Sequence, residues 1–355
     1  MDAEPALHVP VIKYLGSKRR LVGELGTLFE GLETNSALDA FTGTTRVAQE
    51  FCRRGGSVTC VDTAAYSEVL AQCYVVADAD QIDPAEVDEA LVRLSELPDR
   101  RGYVTEVFCE QARYFHPDNG RRIDAIREGI DELYGDHQLR PILLTALLEA
   151  ADRVDSTVGL QMAFLKEWAP RALRPLRLKA PQLTPGTGTA IRGDILQVLD
   201  TLDPVDLAYL DPPYNQHRYF TNYHVWETLV RWDAPEHYGV ACKRVDARSA
   251  ATRSPFNSRR SMPDALADLI ARVRAEVVIV SFNNEGFLPL EQLVELCAVR
   301  GNPVRVLAYD TRRYIGQQIG VFSPDGRKVG QAGPERTVEY LLISAPQHRL
   351  AAITD

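Results

Sequence analysis

Short apolar runs end in acidic or glycine-bearing turns along this chain, and stretches with helical spacing lie between them. The run Ser36-Ala-Leu-Asp-Ala-Phe41 predicts a buried strand, and Thr42-Gly-Thr-Thr45 a tight turn. A helix over 46–54 follows, with Val47, Phe51 and Cys52 towards one side and Gly55-Gly56 as its stop. Ser57–Val61 predicts a second strand, capped by Asp62, and a helix is expected around 67–77. Upstream, Leu21, Leu25 and Leu28 mark one face of a helix that starts after Lys18. Strand, helix, strand, helix with short connections implies parallel strands in a doubly wound α/β layer. The rhythm breaks near residue 78. From there to about 185 the pattern is mainly helical, acidic at its start (Asp78 to Glu96) and basic and proline-broken at its end (Arg171 to Lys179). Strand patterns return at Val205–Leu210, Val277–Ser281, Val304–Ala308 and Val338–Ile343. The expectation is one α/β core, residues 1–77 and 186–355, split by a helical insertion over 78–185.

Composition narrows the function classes. The chain has 355 residues, 45% hydrophobic and 25% charged, which excludes a disordered or fibrous protein. Forty basic against 49 acidic residues leave a net charge of −9, so any nucleic-acid contact must come from locally basic surface. The six cysteines contain no C-x-x-C pair, and the seven histidines show no metal spacing; neither a zinc site nor a disulfide framework is expected. The N-terminus has no signal-peptide pattern, and nowhere do 18 apolar residues run together. A soluble, cytoplasmic protein without a membrane partner is expected.

The most specific chemical signal is Asp211-Pro-Pro-Tyr214, directly after the apolar run Leu207–Leu210. Ligands of open α/β sheets bind outside the carboxyl ends of the strands. Pro212 and Pro213 fix φ twice and withdraw two N–H donors, so the turn is stiff and rich in acceptors. A carboxylate, a rigid carbonyl and an aromatic plane within four residues suit a planar base with an amino group: Asp211 and the Pro212 carbonyl accept its N–H bonds, and Tyr214 stacks on its ring. A second signal is Asp39-Ala-Phe-Thr-Gly-Thr-Thr45, where Gly43 lets backbone pass close to a cofactor. Asp62, 23 residues after Asp39, stands where an acid bonds ribose hydroxyls. The loop is not G-x-G-x-x-G, so a dinucleotide cradle is missing. Lys13-Tyr-Leu-Gly-Ser-Lys18 can face the anionic end of such a cofactor.

In this order, K-Y-L-G-S-K, D-A-F-T-G-T-T, an insertion and D-P-P-Y resemble the alpha-group N6-adenine DNA methyltransferases, which include the deoxyadenosine methylases of restriction–modification systems. The resemblance covers about 1–75 and 190–345. It implies a Rossmann-like, S-adenosylmethionine-dependent core, with the insertion as target-recognition region. Tyr14 and Lys18 would close over the methionine end, Asp39, Phe41 and Gly43 would shape the loop, and Asp62 would hold the ribose. Arg192-Gly-Asp-Ile195 resembles the acid-plus-apolar contact to the cofactor adenine, assigning Asp194 and Ile195, with Asp211 also lining the cofactor site. Asp211, Pro212, Pro213 and Tyr214 would be the catalytic turn. The stretch 215–223 resembles the family's substrate side. One departure is Thr45, where the family often has a second glycine. The implied partners are double-stranded DNA and a cognate restriction endonuclease; an RNA base N-methyltransferase or a non-catalytic nucleic-acid-binding module are the alternatives.

Other chemistries fit less well. None of the cysteines follows a proline, so the nucleophile of a C5-cytosine methyltransferase is missing. Enzymes acting on cytosine N4 usually carry Ser at the place of Asp211. The stretch 243–260 has six basic residues and one acid, a local balance of +5, and Arg171, Arg174, Arg177 and Lys179 form a second cluster. Within a DNA-facing loop over 215–260, Arg253, Arg259 and Arg260 are expected on phosphates, with Tyr219 and Tyr223 near the extruded base. His217 and His224 are expected to be structural or to face DNA.

Overall fold

A computed structural model describes residues 12–14, 18–186, 188–216, 218–249, 252–312 and 336–353. The chain divides into two compact units, residues 1–198 with 218–253 and residues 199–217 with 254–355. This division keeps the stretch 78–185 in the same unit as the N-terminal strands.

In the first unit, α1 (Val22–Gly31) precedes β1 (Ser36–Asp39), and α2 (Arg46–Arg53) leads to β2 (Ser57–Asp62). Leu21, Leu25 and Leu28 are buried, as their spacing requires. β1 pairs in parallel with β2, Ser36 opposite Ser57, and β2 in parallel with β3 (Thr189–Arg192), Thr59 opposite Thr189. β3 has no apolar run in the sequence; four half-buried or exposed residues, Thr-Ala-Ile-Arg, form it at the side of β2. Gly55 ends α2 at φ +84°, and a Cβ on Gly56 would come within 2.5 Å of Phe29 Cζ, so both glycines of the predicted stop are sterically required.

α3 (Ala65–Ala71) continues as a π-helical turn, Gln72–Val76, covering the helix expected near 67–77. Then come α4 (Pro84–Ser95), a π-helical segment Val104–Gln111, α5 (Pro117–Tyr134) and α6 (Arg140–Arg153). Asp83 caps α4 by accepting the Ala85 amide at 2.9 Å, with Pro84 in the first turn, where its missing N–H costs nothing. α6 is buried from Ile142 to Asp152, the mark of a helix at the centre of its neighbours. The helical pattern ends there. Residues 154–186 are irregular, with proline and glycine breaks along that stretch, and every regular element of 78–185 is helical. Later in the unit come the one-turn helix Tyr219–Asn222, α7 (His224–Arg231) and a short antiparallel ribbon that pairs His237 with Arg244.

The second unit contains β4 (Val205–Leu210), β5 (Ala275–Asn283), β6 (Val304–Arg312) and β7 (Arg336–Ser344), in spatial order β4-β5-β7-β6. β4 and β5 are parallel, with Val205 opposite Ala275 and Leu210 opposite Val280. Val277 to Val280 are all 0% exposed, so both faces of β5 are covered, as an unbroken apolar run predicts. The last pairings, β5 with β7 and β7 with β6, are antiparallel. Parallel strands alone therefore do not describe the layer. Helices α8 (Met262–Arg272) and α9 (Leu290–Ala298) fall between β4 and β6 in sequence.

Candidate active site

In the first unit, β1 and β2 end side by side and deliver two acids. Asp39 is 2% exposed and accepts the Thr42 hydroxyl at 3.2 Å. Asp62 is held by two turns at once: Oδ2 accepts the Gly43 amide at 2.9 Å and Oδ1 the Ala64 amide at 3.0 Å. Burial pushes the Asp62 carboxyl up from its ordinary value, while the amides of Ala64, Gly43 and Thr63 and the Ser67 hydroxyl pull it back down. Gly43 sits at φ +49°, and a Cβ there would lie 3.1 Å from Tyr14 Cε1. Thr45, the residue standing where the family often has glycine, also takes a left-handed conformation, φ +63°. Two bonds support it: its hydroxyl donates to the Thr44 carbonyl at 2.6 Å and accepts from Gln49 Nε2 at 2.8 Å.

Tyr14 lies over this loop. Its ring stacks on Tyr223 (centroids 4.5 Å, 18° between planes) and Tyr219 (5.3 Å, 23°), and its hydroxyl is 3.4 Å from that of Tyr66. Burial, then the neighbouring Tyr66 and Asp62, raise the Tyr14 phenol well above its usual value, so it stays a neutral donor. Lys13 is bound to the end of α6 and the stretch just after it, donating to the Asp152 carbonyl at 2.6 Å and to Asp155 Oδ1 at 2.7 Å. Lys18 is 7% exposed, and its carbonyl starts α1 by accepting from Leu21 and Val22. Leu15, Gly16 and Ser17 of the same motif lie outside the described residues. Phe41 is half-buried at the start of the loop. Asp194 caps a one-turn helix, Oδ1 accepting the Leu196 amide at 3.0 Å, and Ile195 is 2% exposed.

In the second unit, Asp211-Pro-Pro-Tyr214 follows directly on the C-terminal end of β4, outside any helix or strand. Pro212 is buried and Asp211, Pro213 and Tyr214 are half-buried. The turn is braced from two sides. The Tyr214 carbonyl accepts the Phe287 amide at 2.9 Å, with its ring 5.5 Å from Phe282, and the Asn215 carbonyl accepts from Asn257 Nδ2 at 2.9 Å. The second unit thus presents a braced acceptor turn at the end of a parallel strand, and the first unit an acid-bearing loop with a left-handed glycine.

A family model for D12 class N6 adenine-specific DNA methyltransferases matches residues 14–268. This chain belongs to that family. The methyltransferase is 30% identical to the type II methyltransferase M.NlaIII of Neisseria lactamica over 300 residues, 80% of this chain and 87% of that protein. It is 25% identical to the type II methyltransferase M.CviAII of Paramecium bursaria Chlorella virus 1 over 316 residues, 86% of this chain and 93% of that one. With the modification methylase LlaI of Lactococcus lactis subsp. lactis it shares 26% identity over 309 residues, spanning 80% of this chain but only about half, 48%, of LlaI. The protein is thus an enzyme of restriction–modification type, a site-specific adenine DNA methyltransferase on an α/β core.

The structure sorts the basic and aromatic residues of the methyltransferase. Arg253, Arg259 and Arg260 are exposed, as are Arg174, Arg177 and Lys179. Arg244 and Arg171 are not available in the same way. Arg244 is 1% exposed and forked onto Asp233 and Asp246 at 2.7 Å each, and Arg171 donates to Asp155 at 2.9 Å. Tyr223, expected at the DNA, is corrected: it is 0% exposed and packs on Tyr14 and Tyr66, because its place next to α7 turns it inward. Tyr219 is half-buried and remains beside Tyr14. His224 is structural; its Nε2 lies 3.0 Å from the Gln161 carbonyl and 3.3 Å from the Tyr114 hydroxyl, and burial lowers its pKa to about 3. His217 and the pair Ala250-Ala251 inside the basic stretch lie outside the described residues. Among the buried polar residues that escaped the sequence reading are Asn119 and Glu227. Neither lies in a motif, and each acts on backbone far away in the chain. No group of His, Cys, Asp and Glu among the described residues could hold a metal ion, and no helix among them is long and apolar enough to cross a membrane.

Proposed function

We propose that the methyltransferase takes its methyl group from S-adenosylmethionine and delivers it directly to N6 of an adenine turned out of double-stranded DNA. The residues present fit this cofactor. Asp62 offers carboxylate oxygens to ribose hydroxyls, and Gly43 leaves backbone space that any side chain would fill against Tyr14. Tyr14 and Lys18 stand at the methionine end, Asp39 and Phe41 shape the loop, and Asp194 with Ile195 form the adenine edge. When bound, the sulfonium supplies an electrophilic methyl group, so the protein's task is mainly alignment.

Asp211 carries the reading. The lone pair of adenine N6 is delocalised into the ring and is a poor nucleophile. Asp211 and the Pro212 carbonyl each accept one amino hydrogen, which holds the amine in place and localises the lone pair towards the methyl. The second bond is stiff because Pro212 and Pro213 fix the turn and the Phe287 and Asn257 hydrogen bonds brace it. Tyr214 stacks on the extruded base. The transfer leaves a positive nitrogen with a surplus proton, and the Asp211 carboxylate takes it on its way to solvent. The exposed Arg253, Arg259 and Arg260 hold phosphates, with Tyr219 on the base side. A restriction endonuclease of the same site preference is the partner that the named relatives suggest.

Asp211→Ala tests the reading. A misplaced acceptor of this kind is worth about 10²–10³ in rate, so methylation of duplex DNA should fall at least that far while the fold persists. Retention of more than about a tenth of the turnover would refute the assignment. Structured RNA methylated in place of duplex DNA would favour the RNA reading.

A further inference from the structure

Helix α3 starts at Ala65 from an N-cap, Ala64, that has no side-chain oxygen for the first amides. Two carboxylates from outside the helix do that work. Asp62 Oδ1 accepts the Ala64 amide at 3.0 Å, and Glu227 Oε2, 162 residues away on α7, accepts the Ala65 amide at 2.8 Å. Glu227 is 0% exposed. Its other oxygen lies 3.9 Å from both Arg192 Nη2 and Arg231 Nη1, and Arg192 in turn reaches the Thr63 carbonyl through Nε at 3.4 Å. Each residue from Asp62 to Ala65 is therefore bonded to a neighbour: Asp62 by the Gly43 amide, Thr63 by Arg192, Ala64 by Asp62 and Ala65 by Glu227. A wholly buried carboxylate is a costly way to pack a helix, since an apolar side chain of similar volume would fill the same space without desolvating a charge. What the carboxylate adds is an acceptor at a helix start, aimed at the turn that carries the ribose acid.

We infer that Glu227 is a positioning residue for the cofactor: it fixes the 62–65 turn so that the Asp62 carboxylate keeps the orientation that ribose hydroxyls need. The inference rests on the proposed role of Asp62. Glu227 touches no substrate, and its effect passes through the Ala65 amide and the backbone to Asp62. Loss of that acceptor frees the Ala65 amide to compete for Asp62 or to turn the loop, and the ribose end of the site loosens. The reacting groups are left as they were.

Calorimetric titration separates this role from a general loss of stability. S-adenosylhomocysteine and its 2′,3′-dideoxy counterpart are titrated into the wild-type enzyme, Glu227→Ala, Glu227→Gln and Asp62→Ala, each below its melting temperature. For Glu227→Ala, affinity for the hydroxylated ligand should fall about tenfold, the effect of stranding one buried amide donor, and affinity for the dideoxy ligand should hardly change. Glu227→Gln, whose amide oxygen accepts the same N–H, should stay within about threefold of wild type. KM for the cofactor should rise in Glu227→Ala with kcat at saturation nearly unchanged. Equal weakening for both ligands, or none, overturns the inference. If Asp62→Ala fails to discriminate the ligands, the ribose role of Asp62 itself falls; if Asp62→Ala discriminates and Glu227→Ala does not, only the inference falls. Should Glu227→Ala not fold, Arg192→Met carries the test. That side chain is 42% exposed and holds the same turn at Thr63, so a weakening confined to the hydroxylated ligand supports the inference and its absence overturns it.

Discussion

The amide of Gly43 donates to Oδ2 of Asp62 at 2.9 Å, tying the turn after β1 to the last residue of β2. One glycine thus orients the acid proposed for the ribose and keeps the loop open beneath Tyr14. Gly43→Ala would set a Cβ 3.1 Å from Tyr14 Cε1 on backbone at φ +49°, a left-handed conformation costing roughly 1–2 kcal/mol. Titration should show cofactor affinity reduced by about tenfold, with melting temperature down by a few degrees. Unchanged affinity would remove this loop from the site.

Glu149 makes stability pH-dependent. It is 3% exposed and bonded to the Tyr74 hydroxyl, and burial raises its pKa from 4.5 to about 7 against the opposing pull of that hydroxyl and Arg153. A carboxyl whose folded-state pKa is raised contributes stability that is fully present below the unfolded value, and that contribution is lost as pH rises through the folded value. Between about pH 4.5 and pH 7 the contribution should decline by about 3 kcal/mol, and above that window the loss should level off. Glu149→Gln has no such titration. The melting-temperature difference, variant minus wild type, should therefore climb with pH across the window and then flatten; a difference constant from about pH 4 to pH 8 would contradict it.

Asn119 holds the exposed basic loop by its backbone. Its Nδ2 donates to the carbonyls of Ala172 and Arg174, both at 2.9 Å, and its Oδ1 accepts the Leu176 amide at 2.9 Å. Asn119→Ala strands these groups at a cost of about 1–3 kcal/mol. Hydrogen exchange should rise at Leu176, and if Arg174, Arg177 and Lys179 grip phosphates, DNA affinity should drop at the same time. Faster exchange with unaltered DNA affinity would place the loop away from DNA.

Neutralising Arg253, Arg259 and Arg260 together should weaken binding to every DNA sequence alike. The slope of log affinity against log salt should shrink by about 0.9 for each phosphate that these arginines no longer neutralise. Binding isotherms at several salt concentrations measure it, and an unchanged slope with full affinity would exclude these arginines from the interface.

The local features of this protein were legible in its sequence. β1, β2 and β4 follow from apolar runs, the stops at Gly55-Gly56 and after Leu210 follow from turn chemistry, and Asp211-Pro-Pro-Tyr214 carried its own stereochemistry because prolines fix φ wherever they stand. Pairing partners were not legible. β3 is four residues without an apolar run and is a strand only because β2 offers an open side, and the antiparallel run of β7 between β5 and β6 is decided by connections that no local periodicity encodes. The same limit applied to side chains. Arg244 and Arg259 look alike within one basic stretch, yet one is buried between Asp233 and Asp246 and the other is exposed. Tyr223 reads as an aromatic near a substrate until packing turns it onto Tyr14, and Glu227 reads as an ordinary helix residue until the Ala65 amide, 162 positions away, is found against it. Strand periodicity and turn geometry are properties of neighbouring residues, so sequence determines them directly. The protonation, burial and partner of a charged or aromatic side chain depend on what the folded chain brings within a few ångströms of it, and only the tertiary structure decides that.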